Sequence, residues 1–263
     1  MAEHTDYTLV VGVDEAHLKQ LELVYPTWVK HKPSLLDRPM IIFYDRDQVS
    51  NLRLRSINHP RLTTVAWPPP GAKFEGGPGK FENAQRYKML AGFVHIPAIF
   101  VDTPYWLKLD TDVVATGQDD WVDSSWFTLG PAIVAHKWGF TKPPDQMQKL
   151  DDWADKIPSL SRYPRLNLKA PPGASRLGHR RIISCIGFFS RAHTITCSGA
   201  AAHLATCPAE LHRLPVPSQD GFMWYVAART GAGIVRINAK ARGWEHWSTM
   251  RNIEDAVKRA LHA

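Results

Sequence analysis

The sequence has no glycine-rich phosphate fingerprint. The turn after its first apolar run reads Val11-Gly12-Val13-Asp14-Glu15-Ala16, without the spaced glycines of a dinucleotide fold. A later cluster, Glu75-Gly76-Gly77-Pro78-Gly79-Lys80, fails as a P-loop. Phe74 stands where the first glycine belongs, and Phe81 follows Lys80 in place of Ser or Thr. It is expected to be a flexible loop that orders over a ligand. Cysteine is scarce: Cys185, Cys197 and Cys207 are odd in number and widely spaced. No disulfide framework or zinc pattern emerges, so a reducing compartment is the simplest expectation. No apolar run approaches the roughly 20 residues needed to cross a bilayer. Met1 to Tyr7 is polar and lacks the basic and apolar segments of a signal peptide. These absences predict a cytoplasmic protein.

The composition sets further bounds. Hydrophobic residues make up 44% of the chain, enough for a substantial core, and a charged fraction of 22% argues against wholesale disorder. The net charge of +7 favours anionic partners such as nucleotide phosphates or an acidic membrane surface. Nucleic acid is disfavoured, because Arg176, Arg180 and Arg181 form the only tight basic group. With no internal repeat, linker or low-complexity tract, residues 1–263 are expected to form a single domain.

Buried parallel strands read as continuous apolar runs, and amphipathic helices as stripes with a period of 3.6. By these rules strands are expected at Tyr7–Val13, Pro39–Tyr44, Leu62–Trp67, Pro131–His136, Ile182–Ser190 and Ile234–Ile237. Helices are expected at Glu15–Lys30, Phe81–Val94, Asp145–Ile157, Arg191–Thr206, Gly221–Thr230 and Ile253–Leu261, with Ala98–Thr103 an irregular link. Such alternation predicts an α/β fold, a Rossmann-like mixed sheet flanked by helices. Ligands in such folds sit outside the carboxyl ends of the strands. Asp14 and Asp45 end the first two strands and are candidates to contact a nucleotide, though Asp14 equally suits a helix N-cap.

The most informative stretch is Tyr105-Trp106-Leu107-Lys108-Leu109-Asp110-Thr111-Asp112-Val113-Val114. On a strand, Asp110 and Asp112 would share a face with Thr111 opposed. Two adjacent carboxylates repel each other, and a hard divalent cation such as magnesium or manganese relieves the repulsion.

This segment resembles the Asp-x-Asp strand of GT-A fold glycosyltransferases. Tyr7 to Leu18 is similar to their opening nucleotide-binding strand. Asn83-Ala84-Gln85-Arg86-Tyr87-Lys88-Met89 resembles the helix before the motif in glycogenin-like and lipopolysaccharide galactosyltransferases. Cys185-Ile186-Gly187-Phe188-Phe189 is similar to their acceptor-side strand, and Ser218-Gln219-Asp220 to an acidic triplet facing the sugar. His246 lies near the position of a C-terminal histidine that completes their metal site, although its flanks depart from that pattern.

The resemblance implies a metal-dependent glycosyltransferase of the hexosyltransferase type, with a donor half at about 1–116 and an acceptor half at about 117–263. Asp110, Asp112 and His246 would hold Mn2+ or Mg2+, with Asp112 the closer ligand and Asp110 nearer the ribose. Asp14, Asp45, Arg86 and Lys88 would meet a UDP- or GDP-linked sugar donor, and Arg251 would add charge at the phosphates. Asp220 would be the base of an inverting transfer; in a retaining one, Asp220 or Gln219 would steady the sugar. Trp138, Gly187, Trp244 and Trp247 would line the sugar or acceptor side. The acceptor would be a glycan, a lipid-linked sugar or another hydroxyl, and the basic charge suits a peripheral position on an anionic membrane. Two other readings remain open: a sugar-phosphate nucleotidyltransferase, and a non-catalytic nucleotide- or sugar-binding module.

Overall fold

The computed structural model describes residues 6–71, 84–117, 122–137, 144–166, 182–203, 219–247 and 249–263. The glycine cluster at 75–80, Trp138, and Arg176, Arg180 and Arg181 lie outside them, as do the side chains of Arg86, Gln219 and Asp220.

Nine strands and six α-helices are described. The strands are β1 (Tyr7–Val13), β2 (Met40–Asp45), β3 (Leu62–Trp67), β4 (Tyr105–Leu109), β5 (Val113–Ala115), β6 (Ala132–Lys137), β7 (Ile182–Ser190), β8 (Gly233–Ile237) and β9 (Trp244–His246). The helices are α1 (Glu15–His31), α2 (Ala84–Phe100), α3 (Pro144–Ala154), α4 (Arg191–Ala201), α5 (Gln219–Thr230) and α6 (Met250–His262). Seven strands form one sheet in the order β3-β2-β1-β4-β7-β6-β8, and β5 and β9 form a separate two-stranded ribbon. Strands β1 to β4 run parallel, β7 runs antiparallel to both its neighbours, and β8 is parallel to β6. This is the mixed α/β sheet that the pattern of apolar runs predicts.

Every residue of β1 and β4 is buried. Alternation along these strands feeds two cores. Val10, Ile41, Phe43 and Trp106 face α2, α4 and α5. Leu9, Val11, Ile42, Leu107 and Leu109 face α1 and α6. Phe43 explains two glycines, because a Cβ on either Gly12 or Gly92 would fall 2.3 Å from its ring. Their bare backbones let α2 settle closely on the sheet.

Three expectations need correction. Helix α2 runs through Pro97 to Phe100, so Ala98–Phe100 is its last turn and not an irregular link. The helix tolerates Pro97 near its C-terminal end, where few turns remain to be disrupted. Helix α4 stops at Ala201, short of Thr206. Strand β4 ends at Leu109, so Asp110-Thr111-Asp112 is a turn between β4 and β5 and not a strand segment. Among the described residues, no helix is long and apolar enough to cross a membrane.

Candidate functional site

The site is built at the carboxyl ends of β1 and β4. Asp14 caps α1, its Oδ1 accepting from His17 N at 2.9 Å and lying 2.6 Å from His17 Nδ1. The cap that the sequence allows is therefore formed, and the same carboxylate orients His17. The His17 pKa is raised, chiefly by that hydrogen bond; burial opposes the shift, and Asp14, Asp110 and Asp112 add their fields. His17 thus lies within electrostatic reach of the acidic turn. The turn is pinned beneath by Thr111, whose Oγ1 donates to Gln20 Oε1 of α1 at 2.7 Å. Its backbone closes through Val113 N to Asp110 O at 3.3 Å.

The second side of the site comes from the far end of the chain. Strand β9 pairs antiparallel with β5, setting His246 opposite Val113 and Trp244 opposite Ala115. Trp247 N donates to Asp112 O at 3.1 Å. This register brings His246 Nε2 to 3.1 Å from Asp112 Oδ2. Asp112 raises the His246 pKa through that contact, burial opposes it, Asp110 adds to it and Lys108 lowers it.

Helix α1 holds the ribbon in place. Trp28 Nε1 donates to Val113 O at 2.7 Å, and Ala115 N donates to Thr27 Oγ1 at 3.1 Å. Lys32 is fully buried, and its ammonium donates to Gly117 O at 2.5 Å and Arg242 O at 2.8 Å. Hydrogen bonds of this kind are what make a buried charge tolerable. Gly243 has φ +68°, and a Cβ there would strike Gly117 O at 1.8 Å. Two chain segments therefore pass here with no space for a side chain between them.

Asp112 Oδ1 is buried and has no hydrogen-bond partner among the described residues. An orphaned carboxylate oxygen inside a protein costs about 1–3 kcal/mol or more. Adjacent ligands of an octahedral ion at about 2.1 Å lie about 3.0 Å apart, close to the separation of Asp112 and His246. The pair therefore fits a small divalent cation that draws its other ligands from water and phosphate. Among the described residues, no group of three or more His, Cys, Asp or Glu converges to hold one unaided. Asp110 is engaged elsewhere, its Oδ1 lying 2.5 Å from the ammonium of Lys108.

Other expected residues are placed differently. Asp45 is fully buried and pairs with Lys88 Nζ at 2.8 Å, so it holds α2 to β2 and presents no surface to a nucleotide. Lys88 is itself committed to Asp45 and Asp47. Trp244 is 2% exposed and packs edge-on against Trp28 with Lys32 over its ring, which makes it core and not a sugar platform. Trp247 is half-buried, its Nε1 donating to Glu245 Oε2 at 3.2 Å. Gly187 lies mid-sheet between Lys108 and Ala135. Asp220 is the second residue of α5. Arg86 is in the first turn of α2 and Arg251 is exposed in the first turn of α6. The pattern along the chain gives no sign of His17, Gln20 or Lys32. The only signal for Lys108 is a charge inside an otherwise apolar strand.

The architecture is that of the GT-A fold. It matches core-mannan synthase A from Aspergillus fumigatus, solved in a manganese and GDP form, with a TM-score of 0.61 and 12% identity. The match covers 87% of this chain and 72% of that one. It also matches the galactosyltransferase LgtC in complex with donor and acceptor sugar analogues, with a TM-score of 0.52, 9% identity and 96% of each chain covered. A 4-diphosphocytidyl-2C-methyl-D-erythritol synthase from Anaerococcus prevotii shares the architecture at a TM-score of 0.53 and 10% identity, over 99% of this chain and 100% of the other. Comparison of the sequence with protein-family models and with curated proteins finds no match.

Proposed function

We propose that the chain is a metal-dependent glycosyltransferase that moves a hexose from a UDP- or GDP-linked donor to a hydroxyl of a glycan or lipid-linked acceptor. The observation that carries this reading is the orphaned oxygen of Asp112 beside His246, at the strand ends where GT-A proteins bind their donors. Asp112 and His246 would hold manganese or magnesium. Bound there, the ion would neutralise charge building on the diphosphate leaving group. Asp14 and His17 border the space beside β1 and face the nucleoside portion. Asp220 takes the acceptor proton in an inverting transfer, a role that rests on the sequence resemblance. Two matched structures support this reading, one described with manganese and GDP, the other with donor and acceptor sugar analogues. The basic charge suits a single-domain cytoplasmic enzyme working at an anionic membrane surface.

Nucleotidyl transfer is the second reading, favoured by the fold shared with the diphosphocytidyl-methylerythritol synthase. Against it, β1 runs straight into Asp14 and α1 with no basic glycine-rich loop between them. Thermal unfolding with a panel of nucleotide sugars, with and without manganese, separates the readings. One donor is expected to stabilise the chain only when manganese is present, by about 2.7 kcal/mol at a hundred times its Kd. Asp112→Asn is expected to remove that shift and to abolish manganese-dependent donor hydrolysis. Stabilisation by a nucleoside triphosphate with none by any nucleotide sugar supports nucleotidyl transfer instead. Stabilisation by a donor without turnover leaves a binding module.

A further inference from the structure

Lys108 is a charged residue in the middle strand of a sheet that is buried on both faces. It is 1% exposed, and its Nζ sits 4.9 Å from the centre of the Phe93 ring. Its neighbours across the sheet are Val10 on β1 and Gly187 on β7. Cross-strand partners share a face, so Gly187 leaves lateral room for the lysine stem. The stem runs toward the acidic turn, and the ammonium lies 2.5 Å from Asp110 Oδ1. Its charge also reaches His246, where it opposes protonation. The two aspartates of the turn therefore stand in different settings. Asp110 is joined to a fixed cation, while Asp112 keeps a buried oxygen without a partner. A symmetric metal clamp would leave both carboxylates open. Here one oxygen of Asp110 is bound to a cation that repels any metal approaching it, and Asp112 has no such cation in contact among the described residues.

We propose that Lys108 is a positioning residue that holds Asp110 out of the metal's coordination shell, so that the ion rests on Asp112 and His246 alone among the described side chains. The inference builds on the metal-dependent reading above. Lys108, Asp110 and Asp112 together carry one net negative charge. A divalent ion leaves the assembled site net positive, and that excess charge is available to the donor's diphosphate. The metal is held weakly by itself and strongly when phosphate oxygens complete its shell.

Manganese(II) titration of the purified chain, followed by the electron paramagnetic resonance of the free ion with no nucleotide present, tests this. Far-UV circular dichroism checks that each variant is folded. Asp112→Asn is expected to weaken manganese binding by about tenfold or more, as loss of a direct ligand. Lys108→Met removes the ammonium that holds Asp110 Oδ1 and repels a metal, so binding is expected to tighten by about tenfold. The double variant Lys108→Met/Asp110→Asn removes both charges and leaves no uncompensated ion. Its affinity is expected to stay within about threefold of the unaltered chain, because the two charges removed cancel and neither group is a ligand. Weakened or unchanged binding in Lys108→Met overturns the proposal. So does a double variant that loses as much as Asp112→Asn, and this arm decides the matter if Lys108→Met does not fold. An unaltered chain that binds no manganese, alone or with a nucleoside diphosphate, overturns the metal-dependent reading itself and this inference with it.

Discussion

His193 sits wholly inside the core, on α4. Its Nε2 lies 3.3 Å from Cys197 Sγ one turn further on. Burial pushes its pKa down to about 4, from an ordinary value of 6.5. The folded chain therefore resists a proton that the unfolded chain accepts. Stability from this group is complete above pH 6.5 and is lost progressively as pH falls toward 4. At about 1.4 kcal/mol per unit, the loss reaches about 3 kcal/mol at the acid end. Urea unfolding at about pH 7 and about pH 5 is expected to show a steeper acid loss for the native chain than for His193→Gln. Equal losses would mean that the ring is not held neutral. At this scale the sequence reveals residues whose chemistry is local. Asp14 follows an apolar strand and opens a helix, so its cap is legible. Asp112 and His246 are visible by type and order. Lys108 is not, because a charge within an apolar strand has no meaning until its neighbours across the sheet are known.

At the level of elements, α3 and α5 are joined by a buried ionic cluster. Arg229 of α5 is 1% exposed; its Nη1 lies 2.7 Å from Asp151 Oδ1 and its Nη2 pairs with Asp155. Tyr225 donates to the same Asp151 oxygen at 2.8 Å, and Leu166 N donates to the other at 3.1 Å. Burial and the charge of Asp151 keep the Tyr225 hydroxyl protonated far above its usual range. Arg229→Met strands Asp151 without a counter-charge and is expected to cost about 3–5 kcal/mol in denaturant unfolding. Arg229→Met combined with Asp151→Leu is expected to recover most of that loss, since replacing both members of a buried pair with apolar groups is often neutral. A double variant as unstable as the single would show that packing, not charge, sets the cost. Long periodic elements such as α1, β1 and β7 are legible from their apolar patterns. Strand β9 is not. It has three residues, too few for a period, and its partner β5 lies far back in the chain. The acidic turn departs from the strand pattern for a related reason. Alternation predicts a face only while the strand lasts, and β4 ends one residue before Asp110.

Over the whole molecule, one sheet supports two cores. Trp28, Trp126 and Trp244 belong to the face beneath α1 and α6, whereas Trp67, Trp106 and Trp153 belong to the face beneath α2 and α4. Neither face can lose the sheet without exposing the other. Unfolding followed by tryptophan fluorescence and by far-UV circular dichroism is therefore expected to give coincident transitions. Separated midpoints would show that one face opens first. The class of fold could be read from the sequence because alternating strands and helices leave few ways to bury both faces of a sheet. The sheet order, the reversal at β7 and the separate ribbon could not, because they depend on pairings between distant segments.

The buried ammonium of Lys32 ties α1 to Gly117 and Arg242, on the two arms of the ribbon. This contact has a consequence for synthesis. Asp112 emerges from the ribosome long before His246, and the helix that steadies both is made before either. Closing so large a loop is slow compared with forming a helix. A nascent chain that has yet to produce β9 carries its acidic turn without its histidine and Lys32 without Arg242. The ribbon is thus closed only after the segment that carries β9 has been made and joined to the first helix.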